Sequence, residues 1–257
     1  MSPADGKLYQ WQLNPATDAV VISNAPVNNT GFMVTEERFV VCFGAGGDPR
    51  KIQWSDQEDN TTWTAAATNQ AGDLIVQTNG TILAGLRARG QSVILTSEDC
   101  HSLTYAGPPF VYNLERVGTS CGLVSAKAAI SVDNGVFWMG YRSFFLYSGG
   151  RVQDLPCEVG DYVFSDMNSD QKSKISAVSN SSWNEIWWFY PSKSSTECDS
   201  YVLYDYAENI WSTGKINRTA GVDSGVFRQV RMRVEGNTSS DWRVGIMRMD
   251  ARQGGKR

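Results

Sequence analysis

The stretch NGVFWMGYRSFFLYSGG, residues 134–150, decides the fold. Two short runs rich in aromatic and β-branched residues, 134–140 and 143–150, flank a polar reversal, which is the composition of paired strands. Asn-Gly opens the stretch and Ser-Gly-Gly closes it, and both supply residues that tolerate positive φ where a strand must turn back. The stretch predicts a β-hairpin. The same layout occurs three more times: RFVVCFG (38–44) with RKIQWSD (50–56), GTILAGL (80–86) with SVILTSED (92–99), and NEIWWFY (184–190) with SYVLYDY (200–206).

Taking Trp54, Thr96, Tyr147 and Tyr204 as equivalent gives steps of 42, 51 and 57 residues, an irregular period drifting upward from that of four-stranded propeller blades. Strand-like segments precede the hairpins (72–79, 126–134 and 173–180) and follow them (101–107, 151–157 and 208–214). Three or four antiparallel strands per unit is blade geometry. The expected fold is therefore all-β and β-propeller-like, with four or more antiparallel blades near 31–63, 72–107, 126–157 and 173–214 inside a domain spanning 1–227. A β-sandwich is the structural rival, because periodicity identifies strands better than their assembly. Helical spacing is nearly absent, TAAATNQAG (64–72) being its best candidate, with an inter-blade loop as the alternative.

Both ends depart from clean blades. KLYQWQL (7–13) reads as a lone strand of an earlier unit. The last thirty residues read as a basic β-hairpin, RQVRMRVEG (228–236) with DWRVGIMRM (241–249), in which Arg alternates with Val and Met. One face would be cationic and the other apolar, so Arg228, Arg231, Arg233, Trp242, Arg243 and Arg248 are the candidate interface residues. The junction at 225–230 joins two strand-like segments without turn residues, which points to an omitted stretch.

With 257 residues the chain can bury a substantial core, and 41% hydrophobic against 19% charged residues excludes a charge-solvated disordered chain. No run of apolar residues is long enough for a membrane-spanning helix, and the first residues lack the layout of a secretory signal. A net charge of −4 argues against general nucleic-acid binding. The charge is uneven, however, at +5 over 228–257 and −9 over the rest. Cys42, Cys100, Cys121, Cys157 and Cys198 include no CxxC pair and number an odd five, which suits small apolar fillers in a reducing compartment.

Chemistry-bearing motifs are sparse. His101 is the only histidine, with no Ser-His-Asp, Cys-His or HExxH pattern around it. FGAGGDPR (43–50) lacks the lysine and following helix of a phosphate cradle and reads as a blade turn. WSDQEDNTTW (54–63) gathers carboxylates without the spacing or central glycine of a calcium loop, and its Asp and Asn fit local turn bonding. Trp183, Trp187 and Trp188 with Phe189 and Tyr190 form the densest aromatic cluster; adjacent Trp187 and Trp188 must face opposite sides of a strand, and packing between blades is the expected role, with sugar stacking as the alternative. Six Asn-x-Ser/Thr sequons, at Asn28, Asn60, Asn79, Asn180, Asn217 and Asn237, read as turn chemistry. These patterns predict no catalytic residue, no cofactor and no metal.

Several stretches together resemble the tail nozzle, or packaged-DNA stabilisation, proteins of short-tailed bacteriophages: 51–63, 135–171, NEIWWFYPS (184–192), DSYVLYDYAENIWSTGKINRTA (199–220) and DWRVGIMRMDARQGGKR (241–257). Their order carries the resemblance, since none alone is a fingerprint. The resemblance implies a non-enzymatic virion subunit in a homo-oligomeric ring, six copies by family analogy. That ring would sit below the portal and adaptor, near tail fibre or needle proteins, extending the conduit for double-stranded DNA and retaining it until ejection. Family members are longer, and this chain starts near the middle of a blade. The alternative is a glycan-binding or sialidase-like propeller for host-surface recognition, which would need paired carboxylates or an arginine cluster beside an exposed aromatic platform. Asp56, Glu58, Asp59, Asp161 and Asp166 are its candidate carboxylates.

Overall fold

Four antiparallel sheets of four strands follow one another along the chain, and within each sheet the order in space is the order in sequence. The structure is a computed structural model that describes Met1 and residues 5–216. The predicted basic hairpin, with Arg228, Arg231, Arg233, Trp242, Arg243 and Arg248, and the junction at 225–230 lie outside the described residues. A two-stranded ribbon comes first, β1 (Tyr9–Gln10) with β2 (Val20–Val21), so the 7–13 segment is half of a small ribbon instead of a lone strand.

Blade 1 is β3 (Gly31–Val34), β4 (Val40–Phe43), β5 (Lys51–Trp54) and β6 (Gly72–Ile75). Blade 2 is β7 (Ile82–Ala88), β8 (Gln91–Thr96), β9 (Asp99–Gly107) and β10 (Val111–Thr119). Blade 3 is β11 (Ala129–Val132), β12 (Gly135–Met139), β13 (Phe144–Ser148) and β14 (Arg151–Leu155), and blade 4 is β15 (Ser176–Asn180), β16 (Glu185–Tyr190), β17 (Ser200–Asp205) and β18 (Ile210–Lys215). All four predicted hairpins form. In blades 3 and 4 they are the middle pair, flanked by the strands expected on either side.

Blade 2 corrects the boundaries. Its hairpin is the first pair of the blade, and the segment at 72–79 that was expected to open blade 2 instead closes blade 1 through Trp54↔Gly72 pairing. The long polar connection 55–71 hides this link in the sequence, because it reads as a break between units. Its closure is physical: the Trp54 indole donates to the Gln70 carbonyl at 2.8 Å, and Gly72 leaves room for the ring, since a Cβ there would lie 2.6 Å from Trp54 Cζ2. The closing strand β10 escaped notice because Asn113, Glu115 and Arg116 dilute its apolar pattern. Thr96 therefore belongs to a second strand while Trp54, Tyr147 and Tyr204 belong to third strands, which explains the irregular period.

The 64–72 segment forms no helix, and it connects strands within a blade rather than linking two blades. A short helix, α1 (Gly160–Asp166), and a 3-10 segment, Ser169–Lys174, instead link blades 3 and 4. Seven residues are too few to show helical periodicity; tertiary packing holds α1, with Val163 buried and the Phe164 ring 5.3 Å from Phe144.

Strand alternation divides each blade's side chains between two faces. Val93 and Leu95 on β8 join the core shared with blades 3 and 4, whereas Ile94 between them joins the core shared with blade 1. Met33, Phe43, Ile52 and Trp54 fill that first interface from blade 1. On blade 3, Phe137 faces Tyr204 and Tyr206 of blade 4, and Phe144 meets Trp188 at 4.9 Å and Trp211 at 4.7 Å. The buried indoles are satisfied by backbone: Trp138 donates to Cys121 and Trp188 to Ala128. A third, smaller cluster of Leu8, Ala25, Cys42, Ala45 and Trp63 lays the N-terminal segment on part of blade 1.

The first strands of the blades neighbour one another in the series β3, β7, β11, β15, and a parallel bridge between Lys127 and Ser176 shows that blades 3 and 4 start in the same sense. The fold is all-β and propeller-like, and among the described residues the series is not closed from β15 back to β3.

Candidate functional site

The residue types that most often carry chemistry are committed here to local structure. Asp99, at the start of β9, is buried and accepts from Thr96 Oγ1 at 2.6 Å and Thr78 Oγ1 at 2.8 Å, tying the connection before β7 to the β8–β9 turn. His101, two residues on, is 2% exposed, with Nδ1 3.6 Å from Asp99 Oδ1. Burial lowers its pKa below the usual imidazole value, outweighing the nearby carboxylate. A neutral, enclosed imidazole beside a carboxylate that threonines already occupy is placed for packing.

The carboxylates at 54–63 are likewise engaged. Asp59 accepts from the hydroxyls of Thr61 and Thr62 at 2.6 and 2.7 Å, and these bonds hold it below the usual range. Asp56 accepts from the backbone of Gln57 and Gln70. Burial raises Asp199, but hydrogen bonds, led by two from Ser192 at 2.7 Å each and joined by Ser200 Oγ and backbone, together outweigh it and hold the carboxylate low. Among the described residues no three His, Cys, Asp or Glu side chains gather as a metal site. Cys42, Cys100 and Cys121 are buried thiols; burial pushes Cys42 up to about 12 and Cys121 to about 11, far from thiolate reactivity.

The strand meander puts the first and third turns of every blade on one rim. A groove of about 890 Å³ opens there between blades 2 and 3. Arg87, Arg89 and Gln91 line it from blade 2, Asp133 and the turn at Gly149 from blade 3, and Glu36 from blade 1. Arg87 Nε donates to the Val34 carbonyl, and Ser131 Oγ donates to the Arg87 carbonyl at 2.6 Å, so one arginine stitches three blades. Two guanidiniums and two carboxylates make the groove polar and balanced in charge, suited to hydrogen-bonding a neutral polar ligand. Phe110 and Trp183, 80% and 70% exposed, sit at turns on this same rim.

None of the groove's charged residues was singled out from the sequence, because the turns that bring them together are far apart along the chain. The signal available was that Ala-Arg-Gly (88–90) and Val-Asp-Asn-Gly (132–135) occupy the same turn of successive blades. Of the candidate carboxylates, Asp56, Glu58 and Asp59 lie at the same rim on blade 1, where Glu58 pairs with Arg38. Asp161 and Asp166 lie on α1, which joins blades at the opposite rim, so the structure does not bring the two sets together. Trp188 takes the inter-blade position expected of the cluster, whereas Trp187 faces the other way, 4.7 Å from the Tyr201 ring, and Trp183 stands exposed at the β15–β16 turn instead of packing between blades, because it lies outside the strand.

No protein-family model matches the chain, and no curated protein matches it. Among solved structures it is similar to the N-terminal domain of Nup159, at 11% identity and a TM-score of 0.44 over 72% of this chain and 47% of that one. It is also similar to the dihydro-heme d1 dehydrogenase NirN in complex with DHE, at 15% identity and a TM-score of 0.45 over 78% of this chain and 40% of that one. The chain thus spans less than half the length of either, and its blade assignment rests on its own strand pairing.

Proposed function

We propose that this chain is a structural subunit whose value is its shape: a rigid, propeller-like arc that assembles with itself into a ring of the tail-nozzle kind, bounding a conduit for double-stranded DNA. The observation that carries this reading is the series of four blades, which among the described residues does not close on itself. The ordered resemblance to nozzle proteins and the use of Asp59, Asp99 and Asp199 as hydrogen-bond acceptors within turns both support it. In such a subunit no residue performs covalent chemistry, and a net acidic body would repel passing phosphates instead of gripping them. Native mass spectrometry with negative-stain imaging of the purified chain tests the proposal. Annular particles of several copies are expected; a monomer at all concentrations, including in the presence of virion partners, contradicts it.

The rim groove favours a second reading, recognition of a host-surface glycan through Arg87, Arg89, Glu36 and Asp133 with Trp183 on the same rim. A glycan array and a hydrolase screen separate the two, since the structural subunit gives no signal in either.

A further inference from the structure

Tyr147 lines the rim groove between blades 2 and 3 and is only 2% exposed, yet its buried hydroxyl has no hydrogen-bond partner. It stands near the end of β13, beside the β13–β14 turn that forms one wall of the groove, and its ring joins the core that blade 3 shares with blade 2. Tyr112 and Tyr204, buried likewise, are bonded within the fold, to Thr35 at 2.9 Å and to Asn209 at 2.8 Å. Burial raises the pKa of Tyr147, and Cys100 of blade 2 adds to the shift, so the phenol keeps a proton to donate. A buried polar group left unbonded is costly, and one at the base of a groove marks where a ligand supplies the missing acceptor.

The charged side chains above it are also uncommitted. Arg38 pairs with Glu58, Lys51 with Asp73 and Lys174 with Glu197 elsewhere on the described surface. In the groove, by contrast, the side chains of Arg89, Glu36 and Asp133 form no ion pair or hydrogen bond among the described residues, and Arg87 uses only its Nε, on the Val34 carbonyl. Guanidiniums only donate and carboxylates only accept, so the groove offers both kinds of bond at no net charge.

We propose that this groove holds an uncharged sugar residue with adjacent hydroxyls: Glu36 and Asp133 accept hydroxyl protons, Arg89 and the free end of Arg87 donate to sugar oxygens, and Tyr147 donates to the most deeply seated one. This rests on the glycan reading of the groove and specifies the class of sugar. A hydroxyl both donates and accepts, which matches the mixed set. A sialylated residue would satisfy the guanidiniums but set its own carboxylate against Glu36 and Asp133, a like-charge cost. At about 890 Å³ the groove is within the range of small-molecule sites. The Tyr147 hydroxyl is closed to water, so the ligand reaches it as Gln91, half-buried on the blade 2 wall, moves aside.

The full chain is tested on an array of neutral and sialylated oligosaccharides, and the best neutral ligand is then titrated by calorimetry. Neutral glycans are expected to bind and sialylated ones to fail. Arg89→Ala and Asp133→Ala, both at exposed positions, and Tyr147→Phe are each expected to weaken binding about tenfold, the loss of one hydrogen bond to a polar ligand. Because the Tyr147 hydroxyl makes no bond in the fold, Tyr147→Phe should keep or raise the melting temperature. A melting temperature that falls means that the hydroxyl is already bonded, and overturns its role toward the ligand. Neutral binding retained by all three variants puts the sugar elsewhere and overturns the site. Binding of sialylated glycans alone overturns the uncharged class while the glycan reading stands, and binding of no glycan overturns both.

Discussion

Gly85 shows how closely the blades approach. A Cβ on this residue of β7 would collide with the Phe43 ring tip of blade 1 and lie 2.9 Å from Met33 Sδ, both buried and with little freedom to move. Gly85→Ala is expected to destabilise the fold by about 1–3 kcal/mol through overpacking, seen as a lower urea midpoint with an unchanged slope. His101 carries a pH prediction. Its folded pKa is depressed by burial, so below about pH 6.5 the unfolded chain binds a proton that the folded chain refuses. Stability is then complete above that pH and declines as the pH falls toward the lowered folded value. Denaturant titrations at about pH 7 and pH 5.5 should show the loss, and His101→Asn should flatten it; an equal slope in both proteins would refute the assignment. The sequence showed His101 to lack catalytic neighbours, but only folding revealed that Asp99, Thr78 and Thr96 surround its strand end.

At the scale of elements, the blade interface gives meaning to the aromatic run on β16. Trp188 is fully buried, meets Phe144 and Trp211, and donates to Ala128 at 3.0 Å, so it binds blade 4 to blade 3. Trp188→Ala should cost about 3–5 kcal/mol, read by thermal or chemical denaturation. Trp183, 70% exposed at the turn before the same strand, should tolerate Ala within about 0.5 kcal/mol. The two tryptophans are alike in composition and only five residues apart in sequence. The strand period predicts that neighbours on β16 separate to opposite faces, but not which face is covered. The same limit explains the phase error in blade 2: hairpins are recognisable by local alternation, whereas the assignment of β6 to blade 1 depends on a long-range contact between Trp54 and Gly72.

For the whole molecule, cooperation between blades predicts the effect of losing one. A chain ended at residue 175 would uncover Phe137 and Phe144, now sealed by Tyr204, Trp188 and Trp211. It is expected to bind a hydrophobic dye and to aggregate, measured by fluorescence and light scattering; a monodisperse product with no dye signal would mean that blade 4 contributes little. By itself the sequence determined the all-β class, the four hairpins and the sparseness of catalytic motifs, because strand alternation and turn residues are local properties written over a few positions each. The succession of blade interfaces, the groove shared by Glu36, Arg89 and Asp133, and the choice of which strand faces meet were decided only by tertiary structure. Each depends on residues tens of positions apart being brought together, and a local pattern does not encode which of its faces will find a neighbour.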